Sequence, residues 1–227
     1  MPNWVSNQLT LHGKTADIEA FIKQASKPVP RQKPDPDTTY GTVDGEWDFE
    51  DCQFSFWNFL APEKPDWPDY FTTANGSAPE NNWYIWNVNH WGTKWDVRDE
   101  DQIPDVTHDE ASGTSTVSYN FESAWSPPMG VYEAIAQQYP QIQVSISWEE
   151  EQGFGAHHES DGEGGLDTTK EWDIPDSHAD YVERDNEESC NCAWSDQEDD
   201  WYEDCPKKQD NTEDDGTLRR LDTLVSE

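Results

Sequence analysis

The sequence predicts an α+β fold in which a mostly antiparallel sheet carries helices on one face, with long loops and an acidic C-terminal region. Three observations predict it. Several short stretches alternate apolar and polar residues with the two-residue period of half-buried strands. Other stretches place apolar residues at the i, i+3, i+4 spacing of amphipathic helices, and segments rich in proline and glycine punctuate the two kinds.

The elements follow in order. Asn3 to Leu11 reads as a first strand closed by Gly13, after which Thr15 is placed to cap a helix bearing Ile18, Phe21 and Ile22 on one face. Asp17 and Glu19 sit in its first turn, where the helix dipole favours acids, and Pro28 and Pro30 stop it. Residues 28–51, with Pro34, Pro36, Gly41 and Gly45, read as a long loop, and Gln53–Trp57 as a short aromatic strand. A second loop runs from Pro62 to Pro79. Trp83, Trp86 and His90 then share one face of a predicted helix that Gly92 ends. Trp95–Arg98 is expected to be a strand and residues 99–113 an acidic hairpin loop.

Thr114–Phe121 alternates cleanly, with Val117, Tyr119 and Phe121 on the apolar face. Ser126-Pro127-Pro128 opens a helix carrying Val131 and Ile135, and Pro140 ends it. Gln141–Trp148 is again a strand. Gly153 and Gly155 then permit a tight turn into a final strand through His158. Strand–helix–strand units with both helices on one side of an antiparallel sheet fit a ferredoxin-like arrangement with inserted loops. A folded domain over 1–160 and an acidic region over 161–227, partly folded back or disordered, are the expected organisation.

Charge narrows the function. The chain has 49 acidic and 14 basic residues, a net charge of −35, and only 33% hydrophobic residues. Residues 1–150 hold 24 acids and 8 bases, a net of −16, while the much shorter 151–227 holds 25 and 6, a net of −19. Direct nucleic-acid binding needs a basic footprint and is excluded on this count, as is adsorption to anionic lipid. No apolar stretch is long enough to span a membrane, and the first residues lack the basic and apolar regions of a secretory leader, so the cytoplasm is the expected location. Trp172, Trp194 and Trp201 argue against complete disorder of the acidic region, since disordered acidic tracts are poor in aromatics.

Three blocks carry a resemblance: Met1-Pro2-Asn3-Trp4-Val5-Ser6-Asn7; Trp83-Tyr84-Ile85-Trp86 with Trp91-Gly92-Thr93-Lys94-Trp95-Asp96; and Ala124-Trp125-Ser126-Pro127-Pro128. Together they resemble the YubB-like family of plasmid and phage proteins with an Api-like, ferredoxin-fold domain. Val5 stands where that family would have cysteine. The resemblance implies a ferredoxin-like fold over about the first 160 residues and a mobile-element origin, and it implies no reaction.

The second and third blocks supply the candidate ligand site: Trp83, Trp86, Trp91, Lys94, Trp95, Asp96 and Trp125. Indole faces beside a lysine can stack a base and hold a phosphate, the chemistry of nucleotide sequestration. The competing reading makes the tryptophans core and pairs Lys94 with Asp96, and core aromatics are the commoner case. The densest acids, Glu183, Asp185, Glu187, Glu188, Asp196, Glu198, Asp199, Asp200, Glu203 and Asp204, form the candidate protein-interaction face. Duplex DNA carries about one negative charge per 1.7 Å, so so acidic a segment is suited to the DNA-binding groove of a basic host protein or nucleic-acid-binding protein. The alternative is a solvated tail that keeps the chain in solution.

Other chemistry finds little support. Cys190, Cys192 and Cys205, with His178, His157, His158 or Cys52 as a borrowed ligand, do not match zinc spacing. Asp210–Gly216 puts its glycine one place too late for a calcium loop and has Leu221 where the bidentate glutamate belongs. Glu149, Glu150, Glu151, His157 and His158 fall on adjacent predicted strands, but no hydrolase, zincin or phosphate-loop motif accompanies them. A non-enzymatic binding protein with no cofactor is the expectation.

Overall fold

A computed structural model describes residues 3–34, 42–71, 82–97 and 103–174. One compact unit runs to Trp172. The chain is ferredoxin-like: β1 (Trp4–Lys14), α1 (Thr15–Ala25), β4 (Asp105–Asp109), β5 (Thr114–Ala124), α4 (Met129–Gln138) and β6 (Gln143–Glu150) trace the two split βαβ units. Between α1 and β4 lie β2 (Val29–Pro34), β3 (Thr42–Glu50), α2 (Trp67–Tyr70) and α3 (Trp83–His90), and after β6 come β7 (Gly155–Ser160) and β8 (Leu166–Trp172). The main sheet has the order β4-β5-β1-β6-β7-β8, antiparallel at every pairing.

Alternation decides what faces the core. On β1, Val5, Leu9 and Leu11 are buried while Ser6, Gln8 and His12 are exposed. Val117, Tyr119 and Phe121 of β5 and Val144 and Ile146 of β6 join them beneath Ile18 and Phe21 of α1 and Val131, Tyr132 and Ile135 of α4. Phe54 stacks on Tyr119 at 4.6 Å and Phe56 meets Phe121 at 5.5 Å, so the inserted segment closes the same core.

Several expectations need correction. Gln53–Trp57 is not a strand: Phe56–Asn58 is a 3-10 turn, capped by the Ser55 hydroxyl, which accepts from Trp57 N. Aromatic composition alone cannot tell a buried turn from a buried strand. Trp95–Val97 is irregular chain, where the Asp96 carboxylate accepts from Ser55 Oγ and Phe56 N of the 3-10 turn. The loop expected over 28–51 contains the β2–β3 hairpin, a separate two-stranded sheet that has only edges and so tolerates proline. Thr15 does not cap α1. Its hydroxyl donates to Gly113 O, and the N-cap position is Lys14. Cys52, offered above as a borrowed zinc ligand, lies in a loop with its thiol directed at the carbonyls of Ala25 and Lys27. The sheet continues past residue 160, since β8 pairs with β7 as far as Trp172. The acids of 183–204, Cys190, Cys192, Cys205 and His178 lie outside the described residues.

Candidate functional site: a clasp that presents Lys94, Trp95 and Trp125

Helix α3 starts at Asn82, whose side-chain oxygen accepts from Tyr84 N at 3.0 Å and Ile85 N at 3.3 Å. It ends at Gly92, which holds φ 87°, a conformation that only glycine adopts without strain. A Cβ there would also approach Pro127 O to 3.3 Å. The next residue, Thr93, is fully buried. Its hydroxyl donates to Ala124 O at 2.8 Å and accepts from Ala124 N at 3.1 Å. Ser126 Oγ donates to Gly92 O, and Ser123 Oγ donates to Ser126 O at 2.8 Å. A Cβ at Gly130 would overlap the His90 carbonyl, so glycine lets the start of α4 press against the end of α3. The two tryptophan-containing blocks, remote in sequence, are thus stitched together as one clasp.

The clasp is anchored below. Asn7, 4% exposed on the central strand, donates to Ser123 Oγ at 2.9 Å and accepts from the Tyr132 hydroxyl at 2.8 Å. Asp96 ties the other side: its carboxylate accepts from Ser55 Oγ at 2.5 Å, Phe56 N at 2.7 Å and Val97 N at 2.8 Å, at the start of the 3-10 turn. Burial raises its pKa above the ordinary carboxylate value, against the pull of these hydrogen bonds. The carboxyl end is enclosed although part of the residue reaches the surface. Asn87 completes the frame, donating to Lys94 O at 2.9 Å and accepting from the Tyr70 hydroxyl at 2.9 Å. Burial and the nearby Asp96 push the Tyr70 phenol well above its usual value.

The seven predicted ligand residues divide three ways. Trp86 and Trp91 are core: Trp91 is 1% exposed with its indole N–H donating to Leu60 O at 2.7 Å, and Trp86 stacks on His90 at 4.3 Å. Trp83, Trp91, Trp95 and Asp96 line a cavity of about 220 Å³, together with Trp57 and Tyr70. Lys94 and Trp125 do not line it. Instead the Lys94 ammonium lies 4.2 Å from the Trp95 ring centre, 5.1 Å from Trp125 and 5.6 Å from Tyr84. Lys94 therefore does not pair with Asp96, whose oxygens are occupied by the 3-10 turn. Trp95, Trp125 and Tyr84 are 38%, 43% and 40% exposed. Trp125 alone among the described non-glycine residues has a positive φ, 73°.

Sequence reasoning missed Tyr84, Thr93, Ser126 and Asn87. The helical spacing that aligns Trp83 with Trp86 turns Tyr84 to another face of α3, and the Lys94 ammonium lies 5.6 Å from its ring centre. The suggested acid/base cluster is divided by strand alternation. Glu150 is buried and accepts from Asn3 Nδ2 and Gln152 N, and His158 points inward to Trp148, while His157 pairs with Glu159 on the other face. A larger groove of about 550 Å³ crosses the sheet face opposite α1 and α4 between Gln8, Asn120, Glu122 and Glu149, with Trp172 donating to Glu149 at 2.9 Å.

No helix among the described residues is long and apolar enough to cross a membrane. No curated protein matches the chain. A solved structure, protein api92 from Yersinia pseudotuberculosis, is similar over 76% of this chain and 99% of that one, at 11% identity and a TM-score of 0.39. The family match begins inside the clasp: residues 90–193 match the family described as a ferredoxin-like domain in Api92-like protein, in keeping with the Api-like, ferredoxin-fold resemblance.

Proposed function

We propose that this chain is a non-enzymatic binding protein, encoded by a phage or plasmid and acting in the host cytoplasm, that inhibits a basic host component. The inhibited component is a nucleic-acid-binding protein, one serving defence included, and the acidic surface occupies the groove in which it holds a nucleic-acid backbone. The observation that carries this reading is the net charge of −35, more than half of it in the last third of the chain. Opposite charges steer encounter and raise the on-rate, an effect that salt screens over a Debye length of about 8 Å at physiological ionic strength. The sheet face opposite α1 and α4 supports the same preference for a basic partner, since Glu122, Glu149 and Glu159 stand there among hydroxyl and amide side chains. The test is affinity capture from host lysate at two salt concentrations, followed by competition with DNA for the captured protein. The expected result is displacement of DNA that disappears when Asp196, Glu198, Asp199, Asp200, Glu203 and Asp204 are changed to Asn or Gln. Binding indifferent to salt, or unchanged after neutralisation, would refute the reading.

A further inference from the structure

The clasp separates two kinds of residue. Thr93, Ser126, Gly92 and Asp96 face inward and are consumed by hydrogen bonds or close approach, while Lys94, Trp95 and Trp125, interleaved with them in sequence, face outward. Two features of the outward set are costly. Large indoles are left part-exposed, and Trp125 holds a left-handed backbone that an L-residue adopts only against steric resistance. A third feature is electrostatic. In a chain with 49 acids, Lys94 has no carboxylate within ion-pair distance among the described residues, and its ammonium is surrounded by ring faces. The rings have freedom to accept a neighbour, since Tyr84 and Trp125 meet edge to face at 6.1 Å and leave their outer surfaces open.

We propose that Lys94, Tyr84, Trp95 and Trp125 form a surface platform for a flat heteroaromatic ring bearing one anionic group, the chemistry of a nucleoside monophosphate. The ring stacks on an exposed indole and the anion lies on the Lys94 ammonium, which the aromatic faces hold in place without neutralising it. One cation matches one phosphate. The strongly negative chain disfavours longer polyphosphates and nucleic acid, which would bring more charge than the single lysine offsets. Lys94, Tyr84 and Trp125 do not line the 220 Å³ cavity, which the platform touches only through Trp95, so its ligand does not displace the core residues Trp86 and Trp91. It is independent of the acidic surface proposed above.

Calorimetric titration of the full chain with AMP, adenosine, inorganic phosphate and ATP tests this. AMP is expected to bind, adenosine to bind about tenfold more weakly for want of the charged contact, and inorganic phosphate to give no heat at the same concentrations. Lys94→Gln, at a part-exposed position, should bring AMP down to the affinity of adenosine, and Trp125→Gly, which suits the backbone at that position, should weaken both. Far-UV circular dichroism and the denaturation midpoint of each variant verify that it is folded. Absence of AMP binding, an AMP affinity unchanged by Lys94→Gln, equal affinity for adenosine, or ATP binding more than tenfold tighter than AMP would each overturn the proposal.

Discussion

Replacing Trp125 by glycine and, separately, by alanine isolates the backbone cost of presenting that indole. Both variants lose the same indole, so its contacts with the Tyr84 ring and the Lys94 ammonium cancel in the comparison. What remains is the φ of 73°, a left-handed position that costs an L-residue about 1–2 kcal/mol and glycine almost nothing. Glycine also gains freedom in the unfolded chain, which lowers its relative stability by about 0.4–1 kcal/mol. The difference leaves Trp125→Gly more stable than Trp125→Ala by about 1 kcal/mol, or about 2–4 °C in midpoint for a chain of this size. Urea denaturation followed by far-UV circular dichroism, with equal m-values as the control for two-state behaviour, measures it. At most other surface positions the order is the reverse. If the alanine variant is as stable as the glycine variant or more so, the position is not strained and the case for a retained functional indole loses its backbone support.

The buried clasp should be more sensitive than the platform: Thr93→Val leaves Ala124 N and O without their partner and is expected to cost about 1–3 kcal/mol by denaturation. Trp86→Ala should destabilise the fold by about 3–5 kcal/mol, and Trp95→Ala, at an exposed ring, by clearly less. Tyr119→Phe should be neutral or stabilising by up to about 1 kcal/mol, because the buried Tyr119 hydroxyl has no hydrogen-bond partner among the described residues; a large loss would show a partner that pairs with it. His158 accepts from the Trp148 indole at 3.1 Å and is therefore neutral in the fold. Burial first, and then the neighbouring His157, lower its pKa, with Glu171 opposing. A histidine depressed on folding binds its proton more readily when unfolded, so stability should decline as pH falls below its unfolded pKa of about 6.5. His158→Gln should flatten that slope in a pH series of urea midpoints.

Asp96 has the opposite sign. Its folded pKa is raised, so the folded state binds more protons over the interval above the unfolded aspartate value of about 3.9, and stability falls as pH climbs through that interval. Asp96→Asn removes this dependence and also loses an acceptor from the 3-10 turn, which separates a changed slope from a changed plateau.

The alternation of β1, β5 and β6 and the apolar spacing of α1, α3 and α4 determined the ferredoxin-like sheet and its helical face, because period-two and period-3.6 patterns report directly which side of an element is buried. The composition likewise determined the acidic character, which is additive over residues and needs no coordinates. Burial that comes from loops is different. Phe54, on a loop, and Phe56, on a 3-10 turn, are core residues with no period to reveal them, and the β2–β3 hairpin is hidden among prolines, which a sheet made only of edge strands tolerates. The aromatic–lysine cluster was legible as a list and not as a site. Trp86 and Trp91 fall inward, Asp96 turns to the 3-10 turn, and Lys94 turns outward to Tyr84 and Trp125, because hydrogen bonds between Thr93 and Ala124 and between Ser126 and Gly92 set the direction of each neighbouring side chain. Contacts made across long sequence separation have no local signature. Tertiary structure alone therefore decided which of these residues support the fold and which present a surface.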